Sequence, residues 1–585
     1  MNLKHLENFM KEYKTVYKLS MENPHRHYLK VEVSFNKLPA DKEFIDVKIP
    51  VWTPGSYMVR EYAQHVHEFT ANDFSDQNLN FEKINKNTWR IFKGLEESVQ
   101  VSYLVYSFDL TVRTNFLNSS YAFVTPSATF VYLEEFKNEK ALLKVELPEG
   151  WEKVSTGLKR IEGRTNTFQI ENYDILVDSP LLCGNYQTFD FEVDGKNHEI
   201  AVQGIFKNDK NTFVSDIKKI VETEFELFGE LPYKDYTFIC IFSPGKYGGL
   251  EHLNSMAVVF DPFELVDEKR YKDWLALIAH EFFHLWNVKR IRPIELGPFD
   301  YDQEIYTKLL WVAEGITSYY DDFLVLKTGF YTTEEYLEVV SKNIKRLQTN
   351  YGRNICTLEE SSFDAWIKFY RQNENSSNTI CSYYNKGALL IMCLDLAIRN
   401  YSKNEKSFDD VLLRFNKFYK EEKRGFTKEE FKEMVKEVVG SDFPEILVNY
   451  LETTEEIDYE KYLGYAGVEF VKDEALPRNL GLDFSEKEGT LTVNRIYQGT
   501  PSWDSDINVN DEIIAIDGIR VNKTLLEKFL TKSESGQKFK FLIARDLEIR
   551  EVELEATSLR EENYKLVKKE DVSELAEQIF QKWIG

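Results

Sequence analysis

The pattern that most restricts what this chain can fold into is His280-Glu281-Phe282-Phe283-His284, followed downstream by Trp311-Val312-Ala313-Glu314-Gly315. Histidines at i and i+4 project from one helix face, so two imidazoles can reach one metal ion while Glu281 stands beside the attacking water. The segment must then be helical, and another element must supply a further ligand. A catalytic zinc takes three protein ligands and keeps a fourth position open. Glu314, in the apolar stretch Leu309-Leu310-Trp311-Val312-Ala313, is the natural third ligand. The plain alternative is a buried histidine pair with a neighbouring glutamate and no metal. Against it stand the apolar lead-in Trp274-Leu275-Ala276-Leu277-Ile278-Ala279, as a buried helix would supply, and the cost of burying a glutamate without a partner. The pattern therefore reads as a zinc metallopeptidase with one Zn2+ per chain, although His/Glu ligation also serves other divalent ions.

A length of 585 residues allows roughly three to five domains. With 43% hydrophobic and 29% charged residues, the chain is globular and not disordered. A net charge of −25 leaves no basic face to displace counterions, so nucleic acid is not an expected partner. The longest apolar run, Ala388 to Ile398, is broken by Asp395, so no membrane span is expected. Met1 to Asn8 lacks the basic-then-apolar pattern of a secretory leader. The five cysteines (Cys183, Cys240, Cys356, Cys381, Cys393) are odd in number and show no C-x-x-C spacing, as expected of reduced thiols in a cytoplasm.

The texture changes along the chain. Residues 1–188 read as a β-sandwich-like domain, with clean alternation at Tyr28 to Phe35 and Val99 to Tyr106. Residues 189–330 mix helix and strand: a helix near Asn211 to Leu227, a strand Tyr236 to Phe242, a Gly-rich turn Gly245 to Gly249, a strand Ala257 to Phe260, then the motif helix. Residues 331–458 are mainly helical, as at Glu334 to Leu347 and Lys386 to Asn400. Short strands with Gly/Asp turns fill 459–560, and 561–585 end in a helix. His65 and His67 fall on alternate positions of an expected strand and have no third partner, so they are read as structural.

These motifs resemble the gluzincin metallopeptidases, and most closely the PDZ-containing glycyl aminopeptidase family. The resemblance rests on His280 to His284 extended by Leu285-Trp286-Asn287, and on Trp311 to Gly315. Val51-Trp52-Thr53-Pro54-Gly55-Ser56-Tyr57 with Arg60-Glu61-Tyr62 looks like the family's N-terminal pattern. Gly248-Gly249-Leu250-Glu251-His252 is similar to its substrate-edge motif, and Tyr383-Tyr384-Asn385-Lys386-Gly387 to its Y-x-K-G segment. The implied fold is multidomain α+β: the N-terminal β domain, a thermolysin-like zinc peptidase domain with a helical subdomain, and a C-terminal PDZ-like domain. Two departures stand out. His252 replaces the Asn that usually follows the edge-motif Glu, and Ser505-Asp506-Ile507 replaces the usual small-Gly-Leu step of a PDZ domain.

The resemblance implies roles for single residues. His280, His284 and Glu314 hold the metal, and Glu281 moves the water's proton to the leaving amine. Tyr384 steadies the oxyanion, with its neighbour Tyr383 as the alternative and a packed core aromatic as the plain reading of either. Glu251 pairs with the substrate's α-ammonium unless it is an ordinary edge-strand acid, while Gly248 and Gly249 admit substrate backbone or merely turn the chain. Asn287 is either a group behind His284 or helix surface. The expected activity is removal of small N-terminal residues from peptides. The alternatives are a metalloendopeptidase, in which Glu251 only lines the cleft, and a binding protein that takes a peptide C-terminus at the PDZ-like Leu480-Gly481-Leu482 loop.

Overall fold

The computed structural model describes residues 12–440, 444–472, 479–557 and 564–585. The segment Met1 to Asn8 and the boundary expected at 561 lie outside them. The chain divides into two compact units, Met1–Arg290 with Glu295–Ile305, and Ile291–Ile294 with Tyr306–Gly585.

In the first unit, period-2 alternation makes strands. Tyr28–Asn36 and Ser98–Tyr106 bury every second residue and pair antiparallel from Tyr28–Tyr106 to Asn36–Ser98. They belong to a seven-stranded sheet in the order Lys159–Arg160, Thr167–Ile170, Ala141–Glu146, Thr15–Ser20, Tyr28–Asn36, Ser98–Tyr106, Val66–Asn72. Its buried face (Leu29, Val31, Val33, Val99, Val101) shares one core with Trp89 of a three-stranded sheet and with Val124 and Leu181 of a four-stranded one. Two layers closing on one apolar core are the expected sandwich. His65 and His67 do not share a strand: His65 closes the 3-10 turn Tyr62–His65, and His67 lies in Val66–Asn72.

The same unit continues into a five-stranded sheet ordered Gln187–Val193, Lys196–Gly204, Asp235–Phe242, Ser255–Phe260, Tyr247–Glu251. Lys196–Gly204, Asp235–Phe242 and Ser255–Phe260 run parallel, and helix Lys210–Phe228 makes the first crossover. Asp235–Phe242 and Ser255–Phe260 are almost wholly buried, as the middle of a sheet covered on both faces requires. Tyr247–Glu251 returns antiparallel as the edge strand. The turn expected over Gly245 to Gly249 is therefore shorter, and Gly248 and Gly249 lie inside the strand. Helix Glu268–Phe283 starts at Asp267, whose carboxylate accepts from the Arg270 amide at 2.9 Å. Trp274 anchors it among Phe213, Phe242 and Phe260.

The second unit is helical around Tyr383–Tyr401, of which all but the first and last turns' outer residues are buried. Its Asp395, which interrupts the apolar run, is paired with Arg399 and also accepts from the Tyr319 hydroxyl (2.8 Å) and the Phe408 amide (2.8 Å). The last helix, Glu574–Ile584, joins this network through Trp583, whose indole N–H donates to the Tyr319 hydroxyl at 3.1 Å. An antiparallel sheet ordered Leu482–Lys487, Thr490–Ile496, Glu512–Ile516, Lys538–Arg545, Glu548–Glu555 encloses its own core, including Val493, Ile513 and Phe541, under helix Lys523–Lys532. Among the described residues no helix is long and apolar enough to cross a membrane. Because Trp583 is fully buried, Trp583→Ala is expected to cost about 3–5 kcal/mol, read from chemical denaturation of the full chain.

Candidate active site

In the first unit, the H-E-x-x-H pattern forms the last turn of Glu268–Phe283, and His284 follows at its C-cap with helical φ/ψ. The i,i+4 relation is thus kept, and the two imidazole rings stand 4.7 Å apart, nearly perpendicular. Asn287 lies beyond the helix end, not on it. Its backbone carbonyl accepts from His284 Nδ1 at 2.6 Å, which commits that nitrogen and leaves Nε2 for a metal. Imidazole nitrogens flanked by carboxylates are a donor set that fits zinc. Glu224, wholly buried on the neighbouring helix, has its carboxyl pushed well above the ordinary range by burial and is pulled back by His280.

Glu281 is 5% exposed and lies against the edge strand. A Cβ on Gly249 would sit 2.0 Å from Glu281 Oε1, so only glycine lets the strand and this carboxylate meet. Gly248 has no such constraint: the nearest atom to a Cβ there is Arg113 Nη1, at 3.8 Å. Burial raises the Glu281 carboxyl above its usual range, His280 and His284 oppose the shift, and Glu251 adds to it. Arg113, which nothing in the sequence marks, donates to the Gly249 carbonyl at 3.0 Å and fixes the strand from the other side.

Glu251, at the end of the edge strand, is 3% exposed, and its Oε1 has no hydrogen-bond partner. An oxygen of Glu251, an oxygen of Glu281 and a ring nitrogen of His284 lie within 4.8 Å of one another. Behind Glu251 stands a buried charge cluster. Lys289 Nζ donates to Asp178 Oδ1 at 2.7 Å but is 4.0 Å from Glu251, so the lysine is engaged by the aspartate. Asp178 also accepts from the Leu253 amide at 2.7 Å and contacts His252 Nδ1 at 3.2 Å. The departure at His252 thus has a local partner. Burial alone would raise Asp178; Lys289 and His252 outweigh it and hold the carboxyl at about 2. Neither Lys289 nor Asp178 belongs to a motif, because the fold joins residues 111 positions apart.

In the second unit, Glu314 lies in a single π-helical turn, Trp311–Gly315, leading into helix Ile316–Lys327. A Cβ on Gly315 would fall 2.7 Å from the Gly387 α-carbon, so the two motif glycines let this segment touch Tyr383–Tyr401 backbone to backbone. The contact brings Tyr384 under the influence of the Glu314 carboxylate. Burial first, then Glu314 and Tyr370, raise the Tyr384 phenol well above its usual pKa, so it stays protonated and able to donate. Tyr384 is half-buried, and its hydroxyl is 2.8 Å from that of Tyr370; Tyr383 is fully buried. Tyr370 is a further polar member that the sequence did not mark.

Comparison with known proteins gives three family matches: Peptidase M61 N-terminal domain over residues 16–185, M61 glycyl aminopeptidase over 273–390, and PDZ domain over 479–556. Among solved structures, an aminopeptidase N family protein from Idiomarina loihiensis is 27% identical with a TM-score of 0.92, covering 98% of this chain and 100% of its own. An M1 zinc metallopeptidase from Deinococcus radiodurans is 13% identical with a TM-score of 0.47, covering 76% of this chain and 94% of its own. None of the curated proteins compared with the chain matches it. The M61 family matches and the likeness to the Idiomarina loihiensis structure define a zinc metallopeptidase of the aminopeptidase type. The chain thus matches the models of an M61 glycyl aminopeptidase that carries a PDZ domain.

Two outcomes follow from this geometry. Gly249→Ala should displace Glu281 by an ångström or more and lower kcat by about a hundredfold, read by steady-state kinetics. Asp178→Ala should strip Lys289 of its hydrogen-bonded partner and leave Glu251, 4.0 Å away, as its counter-charge, so the loss in urea unfolding should stay below the about 3–5 kcal/mol of a fully stranded buried charge. A carboxyl held at about 2, below its ordinary value, contributes its full stability above about pH 4 and loses it as the pH falls through about 2. The loss in Asp178→Ala should accordingly shrink as the pH falls from about 4 toward about 2.

Proposed function

We propose that this enzyme removes glycine and other small residues from the free N-terminus of peptides, with one Zn2+ held by His280, His284 and Glu314. The observation that carries the exopeptidase reading is Glu251: a buried carboxylate with an oxygen lacking a hydrogen-bond partner, beside the proton-transfer glutamate. A buried charge of this kind calls for a cation, and a peptide α-ammonium provides one with up to three N–H donors. Lys289 stands 4.0 Å from that same oxygen, outside hydrogen-bond reach, and gives its hydrogen bond to Asp178, so the oxygen keeps room for a donor.

When bound, Zn2+ polarises the scissile carbonyl and lowers the pKa of the attacking water toward about 7. Glu281 takes the water's proton and hands it to the departing amine, a step that its raised proton affinity favours. Tyr384 donates its phenolic hydrogen to the oxyanion of the tetrahedral intermediate. Tyr384 is half-buried while Tyr383 is fully buried, and that access supports Tyr384 for this role over Tyr383. Glu251 fixes the α-ammonium, so the first peptide bond is the one presented for attack. The five cysteines, all free and buried, suit a reducing cytoplasm.

The PDZ domain offers the exposed edge strand Leu482–Lys487 for strand addition. The Gly481 N–H already donates to Asn479 Oδ1 at 2.9 Å, so a peptide C-terminus would have to displace that side chain.

The test is hydrolysis of glycyl and alanyl p-nitroanilides and of matched N-acetylated peptides, for wild type and Glu281→Gln, with and without a zinc chelator. Free-amine substrates alone should turn over. Activity should vanish with the chelator, return with Zn2+, and fall about a hundred- to ten-thousandfold in Glu281→Gln. Cleavage of the blocked peptides would make the enzyme an endopeptidase, and inactivity on all substrates would leave the PDZ domain as the working part.

A further inference from the structure

The N-terminal pattern Thr53-Pro54-Gly55-Ser56-Tyr57 has no part in the chemistry above, yet it reaches the edge motif within the first unit. A Cβ on Gly55 would lie 2.5 Å and 2.7 Å from the two oxygens of Glu251, and 2.7 Å from Leu250 Cδ1. Contacts that close require the ends of Glu251 and Leu250 to move, and Glu251, at 3% exposure, would leave its present position. Gly55 also has φ +83°, a conformation that an L side chain adopts only with strain.

The loop is tied down at every step. Thr53, Ser56 and Tyr57 are buried, and the Ser56 amide donates to the Thr53 carbonyl at 3.1 Å. Arg60 Nη2 donates to Ser56 Oγ at 3.1 Å, and the Trp52 indole N–H to the Asp300 carbonyl at 2.8 Å. A segment held in this way is a fixed wall and not a mobile flap.

We propose that this loop is the end wall of the amino-terminal pocket and that Gly55 is its specificity-determining residue: its bare α-carbon holds the Glu251 carboxylate in place and leaves room for a primary α-ammonium and nothing attached to it. The proposal rests on the aminopeptidase reading and on Glu251 as the ammonium partner. It names the preferred substrate class as peptides with an unsubstituted N-terminal amine. Lys289, bonded to Asp178, also stands 4.0 Å from Glu251 Oε1.

The experiment measures kcat and KM of the full-length zinc enzyme on glycyl- and N-methylglycyl-p-nitroanilide. The variants are Gly55→Ala, Glu251→Asp, the double variant, and Gly94→Ala. Gly94 is the control, since it also has positive φ (+58°) but nothing within 4 Å of a Cβ, so it isolates backbone strain from the clash. Wild type should process the N-methylated substrate at least about a hundredfold less efficiently than the glycyl one. Gly55→Ala should raise KM for the glycyl substrate about ten- to a hundredfold, the loss of one charge-assisted contact, with a smaller effect on kcat. Shortening the carboxylate in Gly55→Ala/Glu251→Asp should recover part of that loss, although Glu251→Asp alone is deleterious. The wall is refuted if wild type accepts both substrates within about threefold, if Gly55→Ala behaves as Gly94→Ala does, or if the double variant is merely additive. Should Gly55→Ala not fold, the substrate ratio on wild type decides by itself. A wild type inactive on every free-amine substrate overturns the aminopeptidase reading and the wall with it; an active wild type with an indifferent Gly55→Ala overturns the wall alone.

Discussion

The carboxylates of the first unit's site stand against bare backbone. Glu281 lies where a Cβ on Gly249 would be, and Glu251 where a Cβ on Gly55 would be. A buried carboxylate needs its neighbours fixed, because a few tenths of an ångström decide whether it reaches its partner or is stranded at a cost of several kcal/mol. Glycine is the residue that lets backbone and carboxylate approach this closely. In the second unit the same device works between two backbones, with Gly315 against Gly387, and it brings Tyr384 within the electrostatic influence of Glu314. Strand order, helix crossing and loop anchoring all serve these contacts.

Charge is handled with equal economy of parts. Asp178, Lys289 and His252 form a buried group whose members satisfy one another, so that Glu251 keeps an oxygen without a hydrogen-bond partner. A lysine placed 4.0 Å from Glu251 without Asp178 would neutralise the acid that the substrate amine needs. The cluster therefore does two things at once: it joins the β domain's last turn to the segment after the motif helix, and it preserves an acid for recognition. Its members come from residues 178, 252 and 289, far apart in sequence and of ordinary residue types.

The glycines of the motifs illustrate how far a sequence can be read. Gly248 and Gly249 look alike as letters, and both were expected to turn the chain or to admit substrate backbone. In the fold they occupy successive positions of one edge strand and face opposite ways. Only Gly249 meets Glu281, because strand side chains alternate between faces and only one face of this strand looks onto the motif helix. Tyr383 and Tyr384 were likewise indistinguishable until the helix direction was known: one is fully buried, and the other faces Glu314 and Tyr370. Asn287 was set on the motif helix by spacing, but that helix ends at Phe283, and the residue acts through its carbonyl.

The sequence by itself determined the zinc peptidase class, the helix that carries His280, Glu281 and His284, the strands of the β domain and the PDZ domain. Each of these is written in a local period, of 3.6 or 2 residues, or in a short motif whose spacing is the chemistry. Only the tertiary structure decided that Gly55 meets Glu251, that Asp178 engages Lys289, and that Arg113 holds the Gly249 carbonyl. These pairs are separated by 196, 111 and 136 positions, and no periodicity spans such a distance. They are fixed by which faces the cores bury together, a property of the whole packed chain and not of any segment of it.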